Sequence, residues 1–306
     1  MAAPANTRQS YDGLGVAGKR ADGIREDLSN IIYNIAPEET PFMSAIGKSS
    51  CDNTFFEWQI DTLDGGNENR VVEGDNATAL AVVEPLRVGN YTQISSKTIQ
   101  TSGTAEAVDF AGRKSTQAYQ MAKRAKELKL DMEFMLLGAD APAAGTSTAE
   151  RQTGAVGHWI DTNKEAPAAV PDEDHIKTIM EKCWVSGAKP KVLMVDGVLK
   201  QAISAFAQSV SPLQTSANAA SPAHVVAAVD IYVSDFGNLK MVPNRLMPEK
   251  TGYFLDYEFW DIAYLRSFST HDLARTGDSM AKQLVVEYGL RSKNEAANAK
   301  ITSWGV

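Results

Sequence analysis

The stretch SNIIYNIAPEETPFMSAIGK, residues 29–48, combines many large apolar side chains with two prolines, Pro37 and Pro41. Just upstream and into it, apolar side chains recur at Ile24, Leu28, Ile31, Ile32 and Ile35. This spacing predicts a short amphipathic helix over residues 24–35. Pro37 ends that helix, because proline disfavours helical backbone in the residue before it. The two prolines are then expected to hold the rest of the stretch extended.

Composition places the chain among globular proteins. It has 306 residues, of which 43% are hydrophobic and 22% are charged, enough for one large domain or two smaller ones. Two cysteines, Cys51 and Cys183, are too few for a disulfide framework. The N-terminus predicts no secretory signal, and no run of about 20 apolar residues predicts a membrane span. A soluble intracellular product is expected.

The charge balance is acidic. Asp and Glu number 38 against 30 Lys and Arg, a formal net charge of -8. Proteins that bind nucleic acid tightly do so with Lys and Arg that neutralise phosphates, so this balance disfavours a dedicated nucleic-acid binder. The one basic cluster, KRAKELK at residues 123–129, is interrupted by Glu127 and followed by Asp131 and Glu133. It is typical of a solvated helix face.

A projecting arm is predicted in the first third of the chain. Residues 52–61 and 89–103 are predicted strands, separated by the polar, glycine-containing segment 62–88. A structureless loop of that length is unusual inside a compact domain, so we expect it to project and contact another molecule. Arg70 and Glu73 lie in it. They would either form ion pairs between subunits or belong to a solvated loop tip.

A long helix follows. Apolar residues from 105 to 137 mostly step by three and four, and Gly138 is a suitable stop. At 1.5 Å per residue, the helix would span roughly 40–50 Å and lie along a surface with one apolar face.

The second half mixes helices and strands. The stretch PDEDHIKTIMEKCWVSG predicts a helix, KPKVLMVDG a buried strand, and GVLKQAISAFAQ another helix. VDIYVSDFGNLKMVPN predicts a hairpin with Gly237 at its turn, so its DFG triplet is a turn rather than a kinase motif. Strand material in GYFLDYEFWDIAYLRSF precedes two final strands, split near KNEAA. This order indicates an α+β fold.

No catalytic constellation is visible. The four histidines, His158, His175, His224 and His271, have no second histidine or cysteine at metal-site spacing. Phosphate-binding loops and the nucleophile elbow of hydrolases are absent from the sequence. We therefore predict no catalytic residue, no metal site and no cofactor.

Four features together resemble the major capsid proteins of tailed bacteriophages with the Hong Kong 97-type fold. LSNIIYNIAPEETPFMSAIGK, at residues 28–48, resembles the link between that family's N-terminal arm and extended loop. VDIYVSDFGNLKMVPNR, at 229–245, resembles a hairpin of its axial domain. The segment FWDIAYLRSFSTHDLARTGDSMAKQLVVEYGLRSKNEAANAKI, at 259–301, resembles its closing strands. The predicted long helix stands where the family has its spine helix.

The resemblance implies an α+β fold in five parts. These are an N-terminal arm at 1–50, an extended-loop hairpin at 51–103, the spine helix with part of the peripheral domain at 104–171, an axial domain at 172–250, and closing strands shared by the peripheral and axial domains at 251–306.

The resemblance also implies a function. Subunits would form pentamers and hexamers that tile a shell around double-stranded DNA, without sequence-specific DNA binding, a cofactor or a membrane. The expected location is the virion capsid, assembled in the host bacterial cytoplasm, and the expected partners are scaffolding, portal and decoration proteins. The candidate assembly contacts are Pro41, Phe42, Ile46, Arg70 and Glu73.

Three alternatives stay open. A protein compartment of the same fold would enclose cargo enzymes instead of a genome, and the sequence separates it poorly from a capsid protein. An α+β hydrolase would need a nucleophile, a base and an orienting group, and none is visible. A tail or decoration protein is disfavoured by the long helix that follows an extended hairpin.

Overall fold

The computed structural model describes residues 39–63, 65–76, 81–110, 114–210 and 230–305, without the side chains of 206–210. The helix predicted at 24–35 lies outside the described residues. The helices are α1 (Pro41–Ala45), α2 (Gly103–Ala107), α3 (Thr116–Leu137), α4 (Val156–Trp159), α5 (Glu173–Val185) and α6 (Gly197–Val210). The strands are β1 (Gly47–Ser50), β2 (Phe55–Ile60), β3 (Leu86–Tyr91), β4 (Gln93–Ser102), β5 (Lys164–Glu165), β6 (Val192–Val195), β7 (Ile231–Ser234), β8 (Gly237–Pro243), β9 (Gly252–Leu255), β10 (Trp260–Asp272), β11 (Ser279–Ser292) and β12 (Ala299–Ile301).

The first sheet has four strands in the order β1-β10-β11-β4, with β1 parallel to β10 and the other pairs antiparallel. One face of β11 packs against α3 in the largest of three apolar clusters among the described residues. The buried apolar side chains that these two elements contribute are Leu284, Val286, Tyr288 and Leu290 from β11 and Leu128, Met132, Leu136 and Leu137 from α3. Successive residues of a strand point to opposite faces, so the other face of β11 carries Glu287, Gly289 and Arg291.

The second sheet has six strands in the order β5-β12-β9-β6-β8-β7. All four residues of β6 are buried, as its continuous apolar sequence predicts. Helices α5 and α6 contribute Ile176, Cys183, Leu199 and Ile203 to the core of this part. Burial raises the pKa of the Cys183 thiol to about 12, so it is a packed apolar group.

Several predictions for this half are confirmed. Helix α5 begins directly after Asp172, whose carboxylate accepts a hydrogen bond from the backbone N–H of Glu173 at 2.7 Å. The β7–β8 hairpin places Gly237 after its turn with φ +146°, a value that glycine tolerates best. The closing segment divides into β11 and β12, with a short 3₁₀ helix at Glu295–Ala297 between them. Of the closing strands, β9 and β12 join the six-stranded sheet while β10 and β11 join the four-stranded one.

The strands β2 and β3 form a separate antiparallel hairpin in which Phe55 pairs with Tyr91 and Ile60 with Leu86. The single strand predicted at 89–103 is wrong in its bounds. Its second part, β4, pairs with β11 in the four-stranded sheet, and Thr92 is the one residue between β3 and β4. The segment that connects the two strands of the hairpin is therefore 61–85.

The long helix is shorter than predicted, because residues 105–137 do not form one element. Helix α2 ends at Ala107, and α3 begins at Thr116 and ends before Gly138. Side chains satisfy the first N–H groups of α3: Ser115 accepts from Ala118 N at 3.2 Å, and Glu106 accepts from Gln117 N at 3.2 Å. These caps fix the start of a 22-residue helix about 33 Å long.

The described part of the stretch 29–48, residues 39–48, is not extended throughout. Pro41 begins α1, a position where proline fits because the first N–H groups of a helix have no intrahelical acceptor. The next two N–H groups, of Phe42 and Met43, each donate to the carboxylate of Glu133 at 2.8 Å. Asn244 Nδ2 donates to the same carboxylate at 2.8 Å. Glu133 thus joins α1, α3 and the segment after β8.

Replacing Glu133 with alanine should lower the free energy of unfolding by about 3 kcal/mol, because it leaves two backbone donors and one amide donor buried without acceptors. Chemical denaturation followed by circular dichroism measures the change. The control is Lys129→Ala, an exposed position one turn earlier on α3, which should change it by less than about 0.5 kcal/mol. Equal effects of the two substitutions would contradict the role given to Glu133.

Candidate assembly site

The segment 61–85 projects from the hairpin, and the structure describes it except for residues 64 and 77–80. Its described residues are all exposed, including large apolar ones. The large apolar side chains on the segment and at its junction with β3, with 67% to 97% of their surface accessible, are Leu63, Val71, Val72, Val82, Val83 and Leu86. Apolar surface concentrated in this way is typical of sites where proteins associate.

Two of the predicted contact residues, Arg70 and Glu73, lie on this segment and are exposed. The Arg70 guanidinium contacts Glu68 of the same chain, and both side chains are about 80% accessible. An exposed pair of this kind contributes about 0–1 kcal/mol. Glu73 has no ion pair among the described residues, and a turn closes beside it where Asp75 N donates to Val72 O at 3.1 Å.

The other three predicted residues, Pro41, Phe42 and Ile46, lie elsewhere. Phe42 and Ile46 are buried in the chain's own larger core, and Phe42 makes an edge-to-face contact with Trp260 at 6.2 Å between ring centroids. Their side chains therefore pack within the subunit. Pro41 is partly exposed at the start of α1.

The hairpin has an apolar contact at its base that sequence patterns did not reveal. The ring of Phe56, on β2, lies over Gly289 of β11 so closely that a β-carbon at position 289 would come within 2.5 Å of it. Arg291, on the same face of β11, places its guanidinium 5.7 Å from the centre of that ring. The alternation Glu287, Gly289, Arg291 was the available signal in the sequence, but Phe56, which packs on Gly289, is 233 residues away along the chain.

A polar contact on β3 completes the base. Asn90 is fully buried, and its amide Nδ2 donates to Leu290 O at 2.6 Å and to Thr153 Oγ1 at 3.0 Å. Its Oδ1 accepts from Gly154 N at 2.8 Å. The described part of the projecting segment is thus exposed along its length. The strands from which it emerges are held in place by the packing of Phe56 on Gly289 and by the hydrogen bonds of Asn90.

Within the described residues, no group of three or more His, Cys, Asp and Glu side chains is placed to hold a metal ion. A search of the same residues finds no helix with the length and apolar character needed to cross a membrane. What the described surface does offer is a projecting apolar segment on a fixed base, which suits association between protein subunits.

This combination of a projecting hairpin, a surface helix and two sheets that share closing strands is that of the Hong Kong 97-type fold. Comparison with solved structures agrees. The capsid asymmetric unit of cyanophage A-1(L) superimposes with a TM-score of 0.66 at 11% identity, covering 92% of this chain and 97% of that chain.

Sequence comparison identifies the family. Residues 5–304 match the family described as SU10 major capsid protein, and the chain belongs to that family. The major capsid protein of Escherichia phage Phieco32 is 26% identical over 337 aligned positions, covering 90% of this chain and 93% of that protein. The chain is thus a phage major capsid protein, a structural class rather than an enzyme class.

The same fold also occurs in compartments. The holo-SrpI encapsulin complex of Synechococcus elongatus matches with a TM-score of 0.55 at 7% identity, covering 89% of this chain and 91% of that chain. A likeness at this identity shows the fold alone. The family match, which extends over nearly the whole sequence, favours the capsid over the compartment interpretation.

Replacing Gly289 with alanine should displace the Phe56 ring and loosen the hairpin from β11, lowering the free energy of unfolding by about 1–3 kcal/mol. Hydrogen exchange should then rise in β2 and β3 more than in the six-stranded sheet. Gly277→Ala is the matched control, because a β-carbon there meets nothing within 4 Å. Unchanged exchange in β2 and β3 of the Gly289 variant would show that the close packing does not hold the hairpin.

Proposed function

We propose that this capsid subunit assembles into hexamers and pentamers that close a shell around double-stranded DNA, with segment 61–85 lying over a neighbouring subunit. The observation that carries the proposal is the row of exposed apolar side chains on that segment. Covering them would remove apolar surface from water at every subunit contact, at about 25 cal/mol per Å². Repetition of one contact around a closed shell then gives stability without a catalytic site.

The parts of the subunit are proposed to follow the family pattern. Residues 172–250 would form most of an axial domain around the six-stranded sheet, and 251–306 would join it to a peripheral domain built on the four-stranded sheet and α3. Strands β9 and β12 belong to the six-stranded sheet, and β10 and β11 belong to the four-stranded one. This supports the proposal that residues 251–306 contribute to both domains. Scaffolding, portal and decoration proteins are the proposed partners, with assembly in the host cytoplasm.

The net charge of the chain is the basis for the proposed contents of the shell. A lining that bound DNA tightly would compete with packaging and release, and the net charge of -8 suits a container that does not bind its genome tightly. The purified subunit should show no tight binding to duplex DNA at about 0.15 M salt. Particles that contain cargo protein instead of nucleic acid would favour the compartment alternative.

Expression of the chain alone, examined by sedimentation velocity and negative-stain microscopy, should give closed shells, capsomer rings or curved sheets. A monomer at all concentrations and ionic strengths would overturn the proposal. Replacing 61–85 with an Asn-Gly turn should leave a folded subunit that does not assemble, since two residues suffice to join Ile60 to Leu86. Unfolding of that variant would show that the segment belongs to the core of the subunit.

The double substitution Val71→Asp and Val72→Asp should leave the free energy of unfolding within about 0.5 kcal/mol, because both side chains are exposed in the subunit. It should raise the concentration needed for assembly by at least about 10-fold, since two charges would have to be buried at the contact. Sedimentation over a concentration series measures this.

The control for added charge is Asn67→Asp with Asn69→Asp, which places two charges on exposed positions of the same segment and removes no apolar side chain. It should assemble at close to the original concentration. An equal loss in both double variants would mean that net charge, rather than apolar contact, limits assembly.

A further inference from the structure

We propose that a polar cluster of Thr92, Arg151, Arg266 and the buried Glu287, here called the hairpin lock, sets the direction in which the β2–β3 hairpin leaves the four-stranded sheet. Arg151 is the positioning residue. The inference rests on the proposed function, because the direction of the hairpin decides where segment 61–85 meets a neighbouring subunit.

Thr92 is the pivot. It is the one residue between β3, which belongs to the hairpin, and β4, which belongs to the sheet, and it is fully buried. Its N–H donates to Thr54 O at 2.8 Å, its carbonyl oxygen accepts from Arg151 Nε at 2.5 Å, and its hydroxyl donates to Glu287 Oε1 at 3.0 Å. With all three polar groups bonded, rotation of the backbone at this residue breaks at least one hydrogen bond.

Glu287 supplies the negative charge of the hairpin lock. It lies on the face of β11 that receives the hairpin, and only 4% of its side chain is accessible. Its Oε2 accepts from Arg266 Nε of β10 at 2.7 Å, and its Oε1 is bonded by Arg151. A carboxylate this deeply buried needs such partners, because an unpaired buried charge is strongly destabilising.

Arg151 connects the backbone of Thr92 to the carboxylate of Glu287. Its Nε bonds the Thr92 carbonyl while its Nη2 bonds Glu287, so one planar guanidinium holds the backbone of the hairpin and the side chain of the sheet together. The fixed fork of donors makes this geometry directional. A lysine would carry the same charge on a flexible stem, with no rigid pair of donors.

The chain around Arg151 is itself held to the hairpin. Arg151 lies between α3 and α4, and two residues later Thr153 bonds Asn90 of β3 and accepts from Leu290 N of β11 at 3.1 Å. The connection between α3 and α4 therefore contacts the hairpin and the sheet at two successive points. This explains how an otherwise irregular segment can hold a guanidinium against the buried carboxylate of Glu287.

The test measures the direction of the hairpin separately from the stability of the subunit. Spin labels at Gln59→Cys, an exposed position near the far end of β2, and at Lys129→Cys, an exposed position on α3, report the distance from hairpin to subunit body by pulsed electron paramagnetic resonance. The native Cys51 and Cys183 are buried, and labelling of the chain without the added cysteines gives the background. The full-length subunit is measured below its assembly concentration.

In this subunit, Arg151→Lys should broaden the distance distribution about twofold or more while the unfolding midpoint shifts by less than about 2 °C. Thr92→Val, which removes the hydroxyl and little volume, should broaden it less. The matched control is Ile203→Val in the core of the six-stranded sheet, which should lower the midpoint without broadening the distribution.

Broad distributions in the Arg151 and Thr92 variants with a narrow one in the Ile203 variant would support the hairpin lock. Wild-type widths in both lock variants would overturn it. Particles of the Arg151→Lys variant should also be less uniform in diameter by negative-stain microscopy. If the wild-type chain forms no particles while its lock variants still broaden the distribution, the lock stands and the proposed function is overturned.

Discussion

The hydrogen bonds to the Glu133 carboxylate are the constraint on which the rest of the subunit depends. They join backbone N–H groups at 42 and 43 and an amide at 244 to one residue of α3, across sequence separations of 91, 90 and 111 residues. Among the described residues, no cation contributes to the pKa of this carboxyl group. Burial raises the pKa of Glu133 above its usual value, while the hydrogen bonds from Met43, Phe42 and Asn244 lower it and favour the ionised form.

This contact decides how the chain enters the folded body. Helix α1 is only five residues long and would not be stable alone, but its first N–H groups are fixed on Glu133. The chain then passes directly into β1, which pairs with β10 at the edge of the four-stranded sheet. The whole sheet, and the hairpin that lies on its outer face, thereby acquires a defined position relative to α3. A projecting segment can bind a neighbour reproducibly only from such a fixed body.

Local patterns in the sequence were sufficient for much of the fold. The acidic start of α5, the continuous apolar run of β6 and the Gly237 turn depend on neighbours within a few residues, and each was predicted correctly. Contacts between distant residues were not predictable in this way. The start of α3 depends on Glu106, which folds back from α2, and the burial of Phe42 and Ile46 in the same core cluster as Trp260 was not predicted from the sequence. The exposed arm was predicted, whereas the packing of Phe56 on Gly289 at the base of the hairpin was not.

The base of the hairpin combines an apolar contact with polar ones, and the two kinds of contact constrain the position of the hairpin differently. The Phe56 ring on Gly289 excludes water and stabilises the contact, but apolar surfaces can slide over one another at little cost. A guanidinium bonded at once to Thr92 and Glu287 allows only a narrow range of orientations, since donors and acceptors must align. Buried ion pairs add little net stability compared with apolar packing. At this position directional contacts have a clear use, because a small change in angle at Thr92 becomes a large displacement at the far end of segment 61–85, where a neighbouring subunit must be met.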